Sequence, residues 1–537
     1  MSVMPQWGPS HQGARRRRGF NYRWAFRGLV VLALWGLFSG GAHDESTGKI
    51  AGGCVWLAAF VLMALPASVQ RSLLAPLHPR RRSRRPEMSV DPLATVHAAS
   101  LRAGGGVYLG VTDSGEPRFA RGERAVLLLG PPRSGKTSGV IIPAILSHTG
   151  PVVSTSTKPD VYRATRLVRA LNGRVWVFDP TGASSPSGGS QELRWSPVRG
   201  SVSWDGALLM ARAMTTNIGS GTTDRSHWAT RAQALLAPLL HAAAVHGRDM
   251  ETVVDWVMRH DTDEAGVLLE DERCSRLAFA SLVGVFNTED RERSSIFSAT
   301  ADALQAYTSE TALQAAREPN FDAEKFVRSH DTIYIHAPAE QQAAAAPLVC
   351  GLLAEIRRAT YRAHTTGQLA GRVLFALDEV ANIAPMDELP QIASEGGGQG
   401  LLLLAALQDL SQARQRWGAQ ADGFLTLFGS KLILSGIADS KTLETVSTML
   451  GEYDRQVVSR TRPQMGFMHS SLADSWPVTG STATYSTHRT RVLSPGEVSN
   501  IPTGRGLHLD GVEWELVTLT PAHASEPWRT LTTLSAA

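Results

Sequence analysis

Gly130-Pro131-Pro132-Arg133-Ser134-Gly135-Lys136-Thr137 follows the apolar run Ala125-Val126-Leu127-Leu128-Leu129 and precedes a stretch with helical spacing. This fits G-x-x-x-x-G-K-[ST] in its strand-loop-helix context, and few other sequence features restrict a fold so tightly. The glycines let backbone N–H groups turn toward phosphates, and the helix that opens at Thr137 and Ser138 adds its positive dipole end. Residues 130–138 are therefore the candidate nucleotide-binding residues. Within them, Lys136 is expected to reach the β- and γ-phosphates and Thr137 to hold Mg²⁺.

The complementary half arrives late. Val373-Leu374-Phe375-Ala376-Leu377 reads as a strand buried on both faces, and it ends in Asp378-Glu379. Asp378 is the candidate for holding Mg²⁺ through water, and Glu379 the candidate general base that polarises the attacking water. A further apolar run, Leu401-Leu402-Leu403-Leu404-Ala405-Ala406-Leu407, ends at Gln408. An amide at a strand's carboxyl end is well placed to sense the γ-phosphate.

The segments 124–129, 151–154, 174–178, 332–336, 373–377, 401–407 and 431–434 read as strands alternating with helices, the pattern of a parallel α/β sheet. Residues 196–326 differ. They are rich in Ala and Leu at helical spacing, as in Trp228-Ala229-Thr230-Arg231-Ala232-Gln233-Ala234-Leu235-Leu236. The expected organisation is a nucleotide-binding domain in two parts, 89–195 and 327–537, interrupted by an all-α domain over 196–326. The insertion accounts for the distance between loop and acidic strand, which the sheet is expected to bring side by side.

Residues 1–88 read as a membrane anchor and basic linker. Two apolar runs, 24–42 and 50–69, each approach the ~20 residues that cross a bilayer. Arginines flank both outer ends, Arg15 to Arg18 before and Arg80-Arg81-Arg82 and Arg84-Arg85 after, so both termini are expected in the cytoplasm. A twin-arginine signal peptide is the alternative suggested by Arg17-Arg18-Gly19-Phe20, but export would part an ATP site from its ATP, and the second run would stop transfer.

Composition sharpens this division. Of 53 Lys/Arg and 49 Asp/Glu, residues 1–90 hold thirteen and three, which leaves 40 basic against 46 acidic groups in the body. A broad cationic nucleic-acid surface cannot be argued from overall charge, and DNA contact would need local patches. The three cysteines, Cys54, Cys274 and Cys350, are far apart and exclude a disulfide framework or a Cys-x-x-Cys metal site.

With these elements in place, the chain resembles the TraG/TraD-type coupling ATPases of type IV secretion and conjugation. The resemblance rests on the hairpin and P-loop, Ser154-Thr155-Ser156-Thr157-Lys158-Pro159-Asp160-Val161-Tyr162, Val175-Trp176-Val177-Phe178-Asp179-Pro180, Leu377-Asp378-Glu379-Val380-Ala381-Asn382-Ile383, Leu407-Gln408-Asp409-Leu410-Ser411-Gln412, and Arg491-Val492-Leu493-Ser494-Pro495-Gly496-Glu497-Val498. It implies a RecA-like P-loop domain with a parallel sheet, an inserted all-α domain that helps recognise substrate, and an N-terminal two-helix transmembrane hairpin. It further implies an ATP- and Mg²⁺-dependent, multi-pass motor of the bacterial inner membrane, assembled as a homo-hexamer in contact with membrane lipid. Its partners would be single- or double-stranded DNA, relaxase and relaxosome proteins, and the type IV secretion channel. Lys136, Thr137, Asp378, Glu379 and Gln408 match the family positions.

One departure concerns the arginine that many relatives carry after the acidic strand. Gly396-Gly397-Gly398-Gln399-Gly400 has none, so an arginine finger falls back on Arg414 or Arg416 as weak candidates. Ser394-Glu395-Gly396-Gly397-Gly398-Gln399 resembles an ABC-type signature, but that signature precedes the acidic strand and this one follows it. The rival readings are an FtsK-type double-stranded DNA translocase or an ATPase of another secretion system, and a receptor that binds ATP without productive hydrolysis.

Overall fold

The computed structural model describes residues 91–180, 186–216, 218, 225–461 and 482–536. The expected hairpin over 24–42 and 50–69 lies outside these residues, and among those described no helix is long and apolar enough to cross a membrane.

Among the described residues there are fourteen strands: β1 (Tyr108–Val111), β2 (Pro117–Phe119), β3 (Val126–Leu129), β4 (Val152–Ser156), β5 (Val175–Phe178), β6 (Gln191–Glu192), β7 (Thr332–His336), β8 (Val373–Leu377), β9 (Leu401–Leu407), β10 (Ser430–Leu434), β11 (Glu452–Thr461), β12 (Thr482–Arg491), β13 (Arg505–Asp510) and β14 (Glu513–Thr518). Twelve of them form one sheet in the order β2-β1-β14-β13-β10-β3-β9-β8-β4-β7-β5-β6. From β10 to β6 the pairing is parallel. The other end is antiparallel and does not stand out in the sequence, because β2, β13 and β14 mix polar and apolar residues and β1 is only four residues long. β11 and β12 stand apart as a two-stranded ribbon, paired residue for residue from Glu452↔Arg491 to Thr461↔Thr482.

The expected adjacency of the P-loop strand and the acidic strand is corrected. β9 lies between β3 and β8 and pairs with both. The physical reason is visible in its sequence: seven consecutive apolar residues, all buried, suit a strand with neighbours on both edges and helices on both faces.

Alternation along the central strands feeds two cores. Leu127, Leu129, Phe375, Leu377, Leu401, Leu403, Ala405 and Leu407 face one side, where they join residues of the long helix Gln342–Thr365 and of the segment between β6 and β7. Val126, Leu128, Leu374, Ala376, Leu402, Leu404 and Ala406 face the other, against the helices that follow β3 and β4 and the C-terminal Trp528 and Leu531. Between β6 and β7 the described residues hold eight α-helices and no strand, beginning with Trp204–Met214 and ending with Ala323–Val327.

The glycine run at 396–400 is explained by packing. A Cβ at Gly397 would stand 1.9 Å from the Glu123 carbonyl, and Gly400 has a φ of +84°. This turn sits at the amino end of β9, away from the strand ends that carry Asp378 and Gln408.

At that same amino end, Arg169 is fully buried and donates to the Thr332 hydroxyl and to the carbonyls of His148, Gly150 and His330, locking the starts of β4 and β7 together. His148 Nε2 donates to the Arg372 carbonyl at 2.7 Å. Burial first, and the nearby Arg169 second, push the His148 pKa down to about 3. The folded protein thus binds fewer protons here than the unfolded chain, whose histidine titrates near 6.5. Its stabilising contribution is complete above that pH and is lost as pH falls toward 3. Between pH 6.5 and 5 this amounts to about 2 kcal/mol. His148→Gln should be less stable at pH 7.5 yet lose less stability on acidification, as read from urea midpoints by tryptophan fluorescence; an unchanged pH slope would contradict the assignment.

Candidate functional site

The β3 strand delivers the loop 130–136 to the carboxyl edge of the sheet. A Cβ at Gly130 would lie 2.7 Å from Ser134 Oγ and 2.9 Å from Leu434 Cβ, so the first glycine is required by close approach. Gly135 has a φ of +92°, and Arg133, the position opposite it in the turn, adopts +64°. A side chain at positive φ costs on the order of 1 kcal/mol, retained here in a loop whose backbone must face inward. Pro131 and Pro132 stiffen the entry to this turn.

Lys136 is 7% exposed. Its Nζ donates to the carbonyls of Gly130 (2.5 Å) and Pro131 (3.1 Å), which folds the side chain back over its own loop. Burial lowers its pKa, opposed by the charges of Asp378 and Glu379. Ser134 Oγ is buried without a hydrogen-bond partner. An ammonium satisfied only by carbonyls, beside an orphaned hydroxyl, is what a loop shaped for an anion presents when its own atoms fill in.

The helix after the loop opens with a π-turn, Thr137–Ile141, in which Ile142 N–H bonds to the Thr137 carbonyl. Ala522 N–H, from the segment after β14, donates to the Ser138 carbonyl at 2.8 Å. Sequence reading missed this contact, since no local pattern ties residue 522 to the loop.

Thr137 Oγ1 donates to Asp378 Oδ2 at 2.9 Å, joining loop and acidic strand across 241 positions. Asp378 is 7% exposed. Its other carboxylate oxygen accepts from Glu379 N–H at 3.1 Å, and its carbonyl accepts from Thr155 Oγ1 of the neighbouring β4 at 2.8 Å. Thr155 thus anchors the acidic turn, a role hidden in the polar end of a buried strand. Burial raises the Asp378 pKa, and the Thr137 hydrogen bond opposes the rise.

Glu379 has left-handed backbone angles, φ 49° and ψ 45°, and one of its carboxylate oxygens is buried without a partner. A strained acid with a buried, unpartnered oxygen next to a buried Asp-Thr pair is the candidate functional arrangement of this edge. Gln408 follows β9, with Leu407 registered against Leu129 and its carbonyl accepting from Gly130 N–H at 3.2 Å. The Gln408 backbone N–H in turn donates to Gln412 Oε1 at 3.0 Å. The strand order therefore sets Gln408 between the P-loop and Asp378-Glu379.

Arg414 and Arg416 are both engaged within the chain. Arg414 pairs with Asp439 at 2.7 Å, and Arg416 donates to the carbonyls of Thr216 and Pro385. Both guanidiniums are therefore committed to partners within this chain.

The residues fit a nucleotide with Mg²⁺. Lys136, Ser134 and the loop amides supply donors to phosphate, while Thr137 and Asp378 supply oxygens for a hard cation. No cluster of three metal-ligating side chains exists among the described residues. Mg²⁺ keeps waters and substrate phosphates as ligands and takes only one or two from protein, so Thr137 and Asp378 would be enough to hold it.

A phosphate loop with a buried lysine, an acidic strand end and an amide between them, on the carboxyl edge of a parallel sheet, define a P-loop nucleotide-binding α/β protein. The family model described as Type IV secretory system Conjugative DNA transfer matches residues 79–507, and the chain belongs to that family. It is 21% identical over 341 residues to the conjugal transfer protein TraG of Escherichia coli, covering 58% of this chain. The chain spans about half (53%) of that relative's length. Among solved structures, it shares its fold with the bacterial conjugative coupling protein TrwBdeltaN70 in an unbound form, at a TM-score of 0.57 and 18% identity over 76% of this chain and 88% of the other. The plasmid coupling protein TrwB in complex with ADP and Mg²⁺ matches at 0.55 and 18%, over 77% and 88%.

If Asp378 must be ionised to receive Mg²⁺, its raised pKa sets the acid limit of binding. The dissociation constant for Mg²⁺-nucleotide should rise on acidification from pH 7.5, beginning at a pH above that at which an exposed aspartate protonates. Titration of a fluorescent ADP analogue checks this. Asp378→Asn should bind weakly with little pH dependence, and a wild-type-like pH profile in that variant would reject the assignment.

Proposed function

We propose that this protein is a membrane-anchored, ATP-driven motor that couples a DNA-protein substrate to a type IV secretion or conjugation channel and translocates DNA. The observation that carries the reading is the Thr137–Asp378 hydrogen bond, with Lys136, Glu379 and Gln408 gathered around it. Family membership and the fold shared with a coupling protein solved with ADP and Mg²⁺ support it.

In this reading the loop 130–138 cradles the phosphates and Lys136 leaves its carbonyl partners for the β- and γ-phosphates. Mg²⁺, when bound near Thr137 and Asp378, supplies neutralisation of phosphate charge. Glu379 orients a water for in-line attack at the γ-phosphorus and takes its proton, while the bond to the β-phosphate oxygen breaks and ADP and inorganic phosphate result. Gln408 contacts the γ-phosphate and distinguishes ATP from ADP.

Residues 24–42 and 50–69 would anchor the chain in the bacterial inner membrane, with both termini cytoplasmic. The working assembly would be a homo-hexamer, with relaxase or relaxosome proteins and channel components as partners. An FtsK-type double-stranded DNA translocase, or an ATPase of another secretion system, is the alternative within the same chemistry.

Lys136→Ala and Glu379→Gln should each lower ATP turnover by roughly 10²-fold or more while leaving the protein in the membrane fraction. Turnover that survives both changes would sink the site assignment. Measured with single-stranded DNA, double-stranded DNA or none, hydrolysis should rise with one form of DNA. Equal rates in all three, with no DNA retained on a filter, would point to a motor for protein alone.

A further inference from the structure

Two turns leave the candidate catalytic edge, and one arginine joins both to the helical segment. The first begins at Glu379. Its carbonyl accepts from Asn382 N–H (2.9 Å) and Ile383 N–H (3.0 Å), and Ala384 N–H bonds to Val380 O (3.2 Å), so the helix Val380–Ile383 carries the position of Glu379 rigidly to Pro385. The second begins at Gln408. Asp409 caps the helix Leu410–Trp417 by accepting from Ser411 N–H (2.8 Å) and Gln412 N–H (3.2 Å), and Arg416 lies in that helix's last turn.

The Arg416 side chain is 9% exposed. A single nitrogen, Nη2, donates to the Pro385 carbonyl and to the Thr216 carbonyl (3.0 Å), and stands 3.4 Å from the Asp387 carboxylate. Thr216 follows the helix Trp204–Met214, the first of the eight that precede β7. The same helix sends Arg212 to Glu388, with Nε 3.3 Å from a carboxylate that is almost wholly buried. Trp417 Nε1 donates to the Met386 carbonyl at 2.7 Å. Residues 385–388 are thus gripped from the Gln408 helix on one side and from the helical segment on the other. A cavity of about 650 Å³ opens beside the contact, lined by Arg212, Ser226 and Ala229 opposite Asp387, Pro390 and Gln391.

We propose that Arg416 is a positioning residue through which the helical segment sets the orientation of Glu379, so that what binds the helical segment governs the rate of hydrolysis and not the affinity for nucleotide. The inference rests on the ATPase reading above. Arg416 does not touch the phosphates, and Lys136 with its loop is held by contacts that do not include it. Nucleotide affinity and turnover should therefore separate. Lysine is a partial equivalent: its ammonium has donors enough for two carbonyls, as Lys136 shows, but it stands on a flexible stem without the fixed plane of the guanidinium.

The test uses the full chain in detergent. Arg416→Met should bind a fluorescent ADP analogue with an unchanged dissociation constant, and should turn over ATP roughly ten- to hundredfold more slowly, the scale expected when a reacting group is misplaced by about 1 Å. Any stimulation by DNA should shrink toward unity, and Arg416→Lys should recover part of the rate. The double variant Arg212→Met, Glu388→Gln, which leaves Arg416 in place, should lower turnover in the same sense with affinity unchanged. Wild-type turnover in Arg416→Met, or weakened nucleotide binding in step with the lost rate, would overturn the proposal. So would full turnover in the double variant if Arg416→Met also lowered the melting temperature, because Arg416 would then act only as a packing residue. Recovery of hydrolysis on mixing Arg416→Met with Glu379→Gln protein would overturn it in favour of action across a subunit boundary. Failure of the ATPase reading itself is seen separately, as wild-type protein that does not hydrolyse ATP or as Lys136→Ala that hydrolyses it normally.

Discussion

The 2.9 Å hydrogen bond from Thr137 to Asp378 depends on strands being placed correctly along most of the chain. Thr137 is set by β3 and the loop, Asp378 by β8, and the two strands meet only through β9, which pairs with both. A fault in β9 would separate the hydroxyl from the carboxylate and remove Gln408 from between them. The uniform burial of Leu401–Leu407 is thus a condition of the site's geometry as well as of stability. Thr155 adds a second restraint from β4 by holding the Asp378 carbonyl, so four consecutive strands, β3, β9, β8 and β4, fix the position of one carboxylate.

Burial and charge are set against each other at this site. Lys136 and Asp378 are each taken out of water, which pushes each toward its neutral form, and each is held toward its charged form by neighbours: Lys136 by the two acids, Asp378 by the Thr137 hydroxyl and by Lys136. Their charges compensate across a small volume. The Lys136 ammonium is meanwhile tied to carbonyls of its own loop, bonds that an incoming phosphate can replace without leaving the ammonium unsatisfied. Glu379 differs from both. Its left-handed backbone and partnerless oxygen are costs the fold does not offset locally, and they are the observations behind its proposed role toward substrate.

What could be read in advance follows from how each part is encoded. The phosphate loop and the acidic strand are contiguous strings with fixed backbone requirements, and β9 is a seven-residue apolar run, so their residues stood out. The order of strands did not. Parallel strands with equally apolar faces carry no label for their neighbour, and the inference that β3 and β8 are adjacent missed β9. The antiparallel edge was missed because β13 alternates, with Arg505, His508 and Asp510 among its apolar residues, and because β1 and β2 are only four and three residues long. Thr155, Ala522 and the pairing of Arg414 with Asp439 are tertiary contacts between distant segments, for which one sequence holds no local signal. The glycine run at 396–400, whose position after the acidic strand already argued against an ABC-type signature, is a packing requirement against Glu123.

The insertion of helices between β6 and β7 raises the question of how a segment so placed can bear on a site built from β3, β8 and β9. The covalent connections lead to β6 and β7, toward the far edge of the sheet, and offer no direct route. The noncovalent connections do. The helix Trp204–Met214 reaches Glu388 through Arg212, and Thr216, two residues past its end, accepts from Arg416, while residues 385–388 continue directly from the turn that holds Glu379. Arg416 closes the circuit from the helix that follows Gln408. Because these links are hydrogen bonds between directional partners and not apolar contact alone, a small rotation of the helical segment would be transmitted as a displacement of specific carbonyls. Glu379 and Gln408, the two residues proposed to face a γ-phosphate, are also the two whose following turns are held this way, and this conjunction, more than the presence of the insertion, is what would tie the helices to the proposed chemistry.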